Sequence, residues 1–323
     1  MQVWEVVSLG SQPKHNRWER PLPGKGEARV RVVAAGLNFA DLLMIEGKYQ
    51  VRPPLPFVPG MEFSGVVEAL GPDTDGPRPG TRVLGVSGTG ALAEELCIPA
   101  DRLSQIPDAM GFDEAAGFPI AYGTSHLALA HKARLQPGET LFVTGAAGGV
   151  GLTAIEIGKR LGARVIASAR TASRLEVARA AGADHLIDSE APGLKDALRA
   201  LGGVDVVYDA VGGPAFDEAL RACKPDGRLL AIGFASGQVP QIPANLLLVK
   251  NLTVSGFWYG GYQAHAPELV AASMAELLRW RAEGALRPHI GQVLPFEDFP
   301  EGLDLLRTRR ATGKVVIRVD QQA

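Results

Sequence analysis

The sequence is poor in the features that would commit it to a membrane, a nucleic acid or an oxidising compartment. Two cysteines among 323 residues, Cys97 and Cys223, cannot form a disulfide framework or a Cys-x-x-Cys metal pair. The 33 basic and 35 acidic side chains leave a formal charge of −2, so no global field recruits nucleic acid or an anionic membrane. Apolar runs such as residues 246–249 are far too short to span a membrane. We expect neither nucleic-acid nor membrane partners.

The start of the sequence also lacks the basic and long apolar regions of a secretory signal, so we expect a cytoplasmic protein. The whole sequence, at 323 residues, is long enough for two domains. Residues 1–120 contain short β-patterned runs separated by proline and glycine, whereas from residue 121 predicted strands and helices alternate. This alternation predicts a parallel sheet covered by helices on both faces. A helix over residues 267–284 and a final strand from residue 314 follow.

A glycine-rich stretch, VTGAAGGVGL at residues 143–152, stands between an apolar run and a segment with apolar residues at helical spacing. A strand, then Gly145-x-x-Gly148-x-x-Gly151, then a helix is the context in which backbone N–H groups and a helix N-terminus bind a pyrophosphate. We therefore predict a dinucleotide site. The residues assigned to it in this turn are Gly145, Ala146, Gly148, Gly149, Val150 and Gly151.

The end of the next predicted strand distinguishes NAD from NADP. In an NAD site, an acidic residue about 20 positions beyond the glycines accepts the ribose 2′-hydroxyl. Here that place holds Ser168, Ala169 and Arg170, with Arg174 one helical turn further. A hydroxyl and two guanidinium groups suit a 2′-phosphate, which arginine can bind in a bidentate manner. We predict NADPH; the alternative is that both arginines are only solvated charges at a helix start.

These features together resemble the medium-chain dehydrogenase/reductase superfamily and, within it, the zinc-independent quinone oxidoreductase branch related to ζ-crystallin. The resemblance covers nearly the whole chain. The segments that carry it are GLNFADLLMIEGKY, PGMEFSGVV, LQPGETLFVTGAAGGVG, GFASGQVPQIPANLLLVKNLTVSGFWYG and RRATGKVVI.

The resemblance implies an α/β protein with two domains. A β-rich GroES-like catalytic domain would be formed by residues 1–120 and 262–323, and a doubly wound parallel Rossmann domain by residues 121–261. It places the active site in the cleft, and it implies a homodimer joined through an edge strand that LTVSGFW would supply.

The zinc-dependent members of the superfamily provide a negative test. Their catalytic zinc is held by a Cys, a His and a second Cys, at positions where this sequence has Asn38, Met61 and Ala116. None of these side chains is a thiolate or an imidazole, so tetrahedral zinc has no suitable ligands. The four-cysteine structural-zinc lobe is missing as well. We predict a protein without zinc, for which alcohol dehydrogenation is disfavoured.

A quinone, or a C=C bond beside a carbonyl, accepts hydride without a metal because negative charge moves onto an oxygen. The resemblance places Asn38, Asp41 and Tyr49 as catalytic residues. The Asn38 amide would hydrogen-bond the acceptor or fix the nicotinamide ribose, and the Tyr49 phenol would donate a hydrogen bond or a proton. Each residue has a structural alternative: Asn38 as a turn residue, Asp41 as a helix cap, and Tyr49 as a packing residue. Several quinone reductases carry a further tyrosine where this sequence has Leu43.

Further cofactor contacts come from other segments. Gly233 and Phe234 follow a predicted strand at its carboxyl end, where ligands of doubly wound sheets bind. Phe257 follows the next strand. The resemblance adds Thr124 near the nicotinamide or phosphates and Arg310 at the 2′-phosphate, with Lys314 a weaker candidate.

Three functions are consistent with these residues. The first is an NADPH-dependent reductase of quinones or other α,β-unsaturated carbonyls. The second is a 2-enoyl thioester reductase in which Tyr49 protonates the substrate, as in related enzymes with a tyrosine at this place. The third is an NADPH-binding structural or regulatory protein without turnover. The sequence does not identify the physiological acceptor, because loops and side-chain volumes determine such pockets.

Overall fold

The computed structural model describes residues 1–320. The first part of the chain contains β1 (Gln2–Glu5), β2 (Lys14–Arg17), β3 (Glu27–Leu37), α1 (Phe39–Ile45), β4 (Glu62–Leu70), β5 (Arg82–Val86), β6 (Glu95–Pro99), β7 (Leu103–Gln105), α2 (Phe112–Ala116) and α3 (Pro119–His126). The middle contains β8 (Thr140–Val143), α4 (Gly149–Arg160), β9 (Arg164–Ala169), α5 (Ala172–Ala180), β10 (His185–Asp188), α6 (Leu194–Ala200), β11 (Val204–Asp209), α7 (Pro214–Ala222), β12 (Cys223–Ala231), α8 (Ala244–Lys250), β13 (Thr253–Gly256) and α9 (Tyr259–His265). The last part contains α10 (Pro267–Ala282), β14 (Ile290–Pro295), α11 (Phe299–Arg307) and β15 (Lys314–Arg318).

The chain forms two compact units. One, here called the β-rich unit, consists of Met1–Ile120, Met274–Ala282 and residues 288–320. The other, here called the parallel-sheet unit, consists of Ala121–Ser273 and Glu283–Arg287.

The parallel-sheet unit is built on six parallel strands in the order β10-β9-β8-β11-β12-β13. In order of appearance these strands run 3-2-1-4-5-6, which is the doubly wound arrangement. Its inner strands carry apolar side chains on both faces, and Phe142 and Val207 pack in one core with Phe216 and Leu229. The strand order reverses between β8 and β11, and this is where such folds bind their ligands. The α/β prediction is confirmed.

The β-rich unit is organised around the long strand β3. Its seven-stranded sheet follows the order β14-β15-β3-β4-β5-β7, and β6 also pairs with β3. The antiparallel pairing of β15 with β3 places Val315 opposite Leu37, beside the start of α1. Alternate residues of β3, among them Val30 and Val32, are buried in the core of this unit.

The sequence predictions for the last helices and strands are confirmed. Helix α10 begins at Pro267, Gly284 beyond its end has a φ of +74°, and β13 and β15 form where the sequence predicted them. Helix α8 was not predicted. Its Lys250 donates to the carbonyl oxygens of Arg221 (3.1 Å) and Cys223 at the end of α7, where a cation complements the helix dipole. No helix within residues 1–320 combines the length and the apolar character needed to cross a membrane.

The second unit boundary lies beyond the predicted position at residue 261. Residues 262–273 belong to the parallel-sheet unit because their elements are anchored there. His126 Nδ1 lies 2.7 Å from the Ser273 hydroxyl, and both side chains are buried. Gly123 leaves room for the Tyr259 ring, since a Cβ at residue 123 would lie 2.5 Å from a ring carbon.

Candidate functional site

The glycine turn between β8 and α4 has the geometry of an anion site. Gly145 has a φ of +59°, in the left-handed region that favours glycine. Gly148 is the N-cap of α4, and a Cβ on Gly151 would lie 2.4 Å from the carbonyl oxygen of Gly145. The three glycines therefore serve the tight turn, the helix start and the close packing of helix against strand, as in dinucleotide sites. The first turn of α4 includes Gly149 and Val150, whose N–H groups lie at the positive end of the helix dipole.

A buried hydrogen-bond network, here called the Thr144–Asp209 bracket, holds this turn at the point where the strand order reverses. Sequence reasoning missed it. The Thr144 hydroxyl donates to Asp209 Oδ1 (2.5 Å) and accepts the N–H of Ala210 (3.1 Å). Asp209 Oδ2 accepts the N–H of Gly212 (2.8 Å). Burial raises the pKa of Asp209, against the effect of these donors. The hydrogen bond between Thr144 and Asp209 links the ends of β8 and β11. The signal in the sequence was an aspartate at the end of an apolar strand, followed shortly by two glycines.

The end of β9 brings together the residues predicted to bind the 2′-phosphate. Ser168 is buried, and its carbonyl oxygen accepts the N–H of Ala146 in the glycine turn (3.0 Å). Arg170 follows the strand and is exposed, while Arg174 is half-buried in the first turn of α5. Burial lowers the pKa of Arg174, and the positive charge of Arg170 lowers it further. The two arginines therefore place positive charge at this edge of the sheet.

Other predicted cofactor residues lie along the same edge of the parallel sheet. Gly233 and Phe234 follow β12, and Phe234 is partly exposed. Phe257 follows β13, donates its N–H to the carbonyl of Ala231 (3.1 Å), and stacks on the Tyr262 ring at 4.9 Å. Thr124 is buried in α3. Gly233, Phe234 and Phe257 thus lie at the carboxyl ends of neighbouring strands, the side of the sheet that also carries the glycine turn.

Arg310 lies in the β-rich unit after α11. Its guanidinium donates to Asp304 (2.9 Å) and to the Thr308 hydroxyl (3.0 Å). Lys314, the weaker phosphate candidate, is 6% exposed and belongs to a different cluster. The expectation that Lys314 binds phosphate is therefore wrong, because a buried ammonium already engaged by three oxygens is not available to a phosphate.

That cluster, here called the Asn38 cluster, consists of Asn38, Asp41, Glu62 and Lys314. The Lys314 ammonium donates to Glu62 Oε1 (2.7 Å), to Asn38 Oδ1 (2.8 Å) and to the Leu37 carbonyl (2.7 Å). Asn38 Nδ2 donates to the same oxygen of Glu62 (2.9 Å), whose second oxygen accepts the N–H of Ile120 (2.8 Å). Glu62 is fully buried. A charge in such a place is stable only with a partner, and here the partner is Lys314.

Asp41 lies beneath Asn38 and is 1% exposed. Its Oδ2 accepts the backbone N–H of Asn38 (2.8 Å), the reciprocal half of a capping box. Its Oδ1 is buried without a hydrogen bond among the described residues. Burial raises the pKa of Asp41 to about 7, although the Asn38 N–H and the Lys314 charge act in the opposite direction. Because its carboxyl group is buried, we revise its assignment. Asp41 is not a catalytic residue but holds the backbone of Asn38 in place.

Tyr49 follows the end of α1. Its backbone N–H donates to the Leu43 carbonyl (3.1 Å), and its half-buried ring packs against the core of the β-rich unit. Asn38 is half-buried. The assignment of Asn38 and Tyr49 as donors to the substrate stays a prediction.

At the three positions that match zinc ligands in relatives, the side chains of Asn38, Met61 and Ala116 offer a metal neither a thiolate nor an imidazole. Met61 is largely buried and Ala116 completely so. Within residues 1–320, no group of three or more His, Cys, Asp or Glu side chains is arranged to hold a metal ion. The absence of zinc from the working protein stays a prediction.

Comparison with known proteins identifies the family. A GroES-like domain of alcohol dehydrogenases matches residues 24–108, and a zinc-binding dehydrogenase model matches residues 149–276. Quinone oxidoreductase-like protein 2 of Bos taurus is 41% identical over 295 residues, which are 90% of this chain and 84% of that protein.

Solved structures agree with this result. The quinone oxidoreductase of Thermus thermophilus, also solved in complex with NADPH, superposes with a TM-score of 0.88 at 34% identity, covering 99% of this chain and 100% of the other. The quinone oxidoreductase of Escherichia coli, complexed with NADPH, gives a TM-score of 0.92 at 28% identity and covers 99% and 100% of the two chains. The chain therefore belongs to the medium-chain dehydrogenase/reductase superfamily, in its quinone oxidoreductase branch.

Proposed function

We propose that this protein is an NADPH-dependent reductase that transfers hydride to quinones or other α,β-unsaturated carbonyls without a metal ion. The observation that carries the proposal is the pair of guanidinium groups of Arg170 and Arg174 beside the end of β9. Two guanidinium groups can hold a dianion through charge-assisted hydrogen bonds, and a 2′-phosphate is the dianion that distinguishes NADPH from NADH. The relatives solved with NADPH support the same cofactor.

The residues present fit that cofactor. The N–H groups of the glycine turn would hold the pyrophosphate, and Ser168, Arg170 and Arg174 the 2′-phosphate. Gly233, Phe234 and Phe257 would line the nicotinamide, together with Thr124 from α3. A contribution from Arg310 would require its guanidinium to share or exchange its bond to Asp304.

When bound, NADPH supplies the hydride from its nicotinamide ring. The carbonyl oxygen of the acceptor gains negative charge in the reaction, and a fixed hydrogen-bond donor at that oxygen lowers the barrier. We assign the Asn38 amide to this role and the Tyr49 hydroxyl to a second hydrogen bond or a proton. Neither role requires a Lewis acid.

The test is steady-state oxidation of NADPH and of NADH, side by side, with three acceptors: 1,4-benzoquinone, 9,10-phenanthrenequinone and crotonyl-CoA. Each assay is run with and without EDTA. We expect turnover of the quinones that prefers NADPH and does not respond to the chelator. Loss of activity in EDTA, restored by zinc, would overturn the metal-free mechanism.

The same panel separates the other functions. Turnover with crotonyl-CoA alone would favour a 2-enoyl thioester reductase, and Tyr49→Phe would then abolish most of the rate. Tight binding of NADPH without turnover of any acceptor would favour a structural or regulatory role.

We further propose that the protein is a homodimer joined through β13. This strand lies at the edge of the six-stranded sheet, and the neighbouring α8 exposes Leu248 (79%) and Val249 (71%). Large exposed apolar side chains next to a sheet edge are a common basis for association. A cytoplasmic location stays a prediction from the sequence.

A further inference from the structure

The amide group of Asn38 is hydrogen-bonded to two charged side chains of opposite sign. Its oxygen, Oδ1, faces the Lys314 ammonium at 2.8 Å, and its nitrogen, Nδ2, faces Glu62 Oε1 at 2.9 Å. An ammonium can only donate hydrogen bonds and an ionised carboxylate can only accept them. A rotation of the amide by half a turn would place an NH₂ group against the ammonium and a carbonyl oxygen against the carboxylate. The pair therefore permits one orientation of the amide.

The two partners are themselves immobilised. The Lys314 ammonium has two further contacts, to the Leu37 carbonyl and to Glu62, and its side chain is almost completely buried. The second oxygen of Glu62 is held by the N–H of Ile120. Since Glu62 is bonded at both oxygens and Lys314 at three acceptors, neither side chain can turn away without losing strong hydrogen bonds.

The orientation leaves a donor available. Glu62 takes one hydrogen of Nδ2, and the other hydrogen has a single contact within the described residues, with the carbonyl of Gly36 at 3.5 Å. That distance is too long for a strong hydrogen bond. Both ionic partners are at least nine-tenths buried, whereas Asn38 is half-buried, so Asn38 is the residue of these three that is open to a small molecule.

We propose that Lys314 and Glu62 are positioning residues that fix Asn38 as a hydrogen-bond donor toward the bound acceptor. The proposal rests on the proposed function and narrows its substrate class. The site selects molecules that present an accepting oxygen, such as a quinone or enone carbonyl. It disfavours molecules that present a hydroxyl donor, because the amide oxygen is already occupied by Lys314.

The first test removes both charges together, in Lys314→Met/Glu62→Gln. Removing one partner alone would leave an uncompensated buried charge and would endanger folding, whereas removing both avoids it. We expect kcat with 9,10-phenanthrenequinone to fall by about 10- to 100-fold, because a fixed donor counts most in the transition state. The Kd for NADPH, measured by binding and not by turnover, should stay within about twofold, because its predicted ligands other than Arg310 lie in the parallel-sheet unit and Arg310 does not belong to the Asn38 cluster.

Non-additivity distinguishes positioning from general damage. If the pair acts through Asn38, then Asn38→Ala and the triple variant should have the same kcat within about threefold. Independent effects would instead multiply. The matched control is Arg318→Met/Asp113→Asn, which removes another ion pair of the same unit from the far end of the same strand, β15. This control should retain the kcat of the unmodified protein.

Hydrogen exchange tests whether Lys314 and Glu62 hold the Asn38 amide, and it requires no turnover. The chain has four asparagines, so labelling their side-chain nitrogens with ¹⁵N gives four NH₂ signals, and the Asn38 signal is the one missing in Asn38→Ala. In Lys314→Met/Glu62→Gln, hydrogen exchange of this NH₂ group should be about tenfold faster or more. Unchanged exchange, or unchanged kcat in that variant, would overturn the positioning role. If exchange is faster in the double variant but the unmodified protein reduces no quinone, the proposed function is refuted. The conclusion that Lys314 and Glu62 hold the Asn38 amide would still stand.

Discussion

Single residues of the Asn38 cluster make the β-rich unit sensitive to pH. The pKa of Asp41 is raised by burial to about 7, from an ordinary value of 3.8. The folded protein therefore holds this proton more tightly than the unfolded chain. The resulting stabilisation is complete below about pH 4 and is lost as the pH rises from about 4 to about 7.

We expect Asp41→Asn to flatten this dependence, because the amide oxygen can still accept the Asn38 N–H but does not titrate. The free energy of unfolding of the unmodified protein, relative to that of Asp41→Asn, should fall by up to about 4 kcal/mol between pH 4 and pH 8. Urea unfolding at several pH values measures it. Parallel pH profiles for the two proteins would contradict the assignment.

The arginines at the end of β9 give a second prediction for single residues. In Arg170→Ala/Arg174→Ala, the Kd for NADPH should rise by about 100-fold, since two charge-assisted hydrogen bonds are lost. The Kd for NADH should change by less than about threefold, because NADH has no 2′-phosphate. Isothermal titration measures both.

The matched control for this pair is Arg179→Ala. Arg179 lies in the same helix, α5, where it is exposed and paired with Glu176 (3.2 Å). Its removal should leave both dissociation constants unchanged. Tighter binding of NADH than of NADPH by the unmodified protein would refute the cofactor assignment.

Sequence reasoning reached some of these residues and missed others for a physical reason. Asn38, Ser168 and Arg170 stand in local patterns that a reader of the sequence can inspect. The pairing of Glu62 with Lys314 spans 252 positions, and no local pattern specifies it. A charged residue at the start of the apolar strand β4 was the available signal, because a buried carboxylate requires a partner.

Among the elements, the strands and helices of the parallel sheet were predictable because each carries its own periodicity and each turn its own glycine. Helix α8 was not, because its apolar residues stand next to one another in the sequence and not at helical spacing. Leu246 and Leu247 are half-buried against the core, whereas Leu248 and Val249 are exposed. The Thr144–Asp209 bracket joins two strands, β8 and β11, that are distant in sequence, so the strand patterns alone did not predict it.

The junction of β8 and α4 supplies a prediction at the scale of elements. A Cβ at Gly151 would meet the backbone of Gly145 and Ala146 at 2.4 to 3.0 Å, and backbone cannot yield cheaply. Gly151→Ala should therefore lower the free energy of unfolding by about 1–3 kcal/mol and weaken NADPH binding. Urea unfolding and titration with NADPH measure the two effects.

Gly158→Ala in the same helix is the control. A Cβ at Gly158 would meet the far end of the Leu141 side chain at 2.6 Å, which can turn aside. Its cost should be smaller, and NADPH affinity should be retained. Equal effects of the two substitutions on NADPH binding would contradict the role assigned to the turn.

For the whole molecule, the alternation of strands and helices indicated a parallel-sheet unit inserted between parts of a β-rich one. The second boundary lies beyond the expected position at residue 261, because the anchors of residues 262–273, such as the contact of His126 with Ser273, are tertiary contacts.

The proposed dimer joins two whole chains through β13. We expect light scattering after gel filtration to give twice the chain mass of 34.1 kDa, and Val254→Pro in β13 to shift the protein toward the monomer. Proline at the edge of a sheet interferes with pairing to another strand. The variant must retain NADPH binding to count as folded. A monomer at all concentrations in the unmodified protein would contradict the dimer.

A single-turnover experiment tests whether hydride passes directly from NADPH to a quinone without a metal. Protein shown by elemental analysis to be free of zinc is mixed without oxygen with equimolar NADPH and 9,10-phenanthrenequinone. We predict that NADPH is consumed one for one with hydroquinone formed, and that deuterium at the transferring position of the nicotinamide slows the reaction. No consumption of NADPH by the zinc-free protein, with activity returning when zinc is added, would contradict direct transfer.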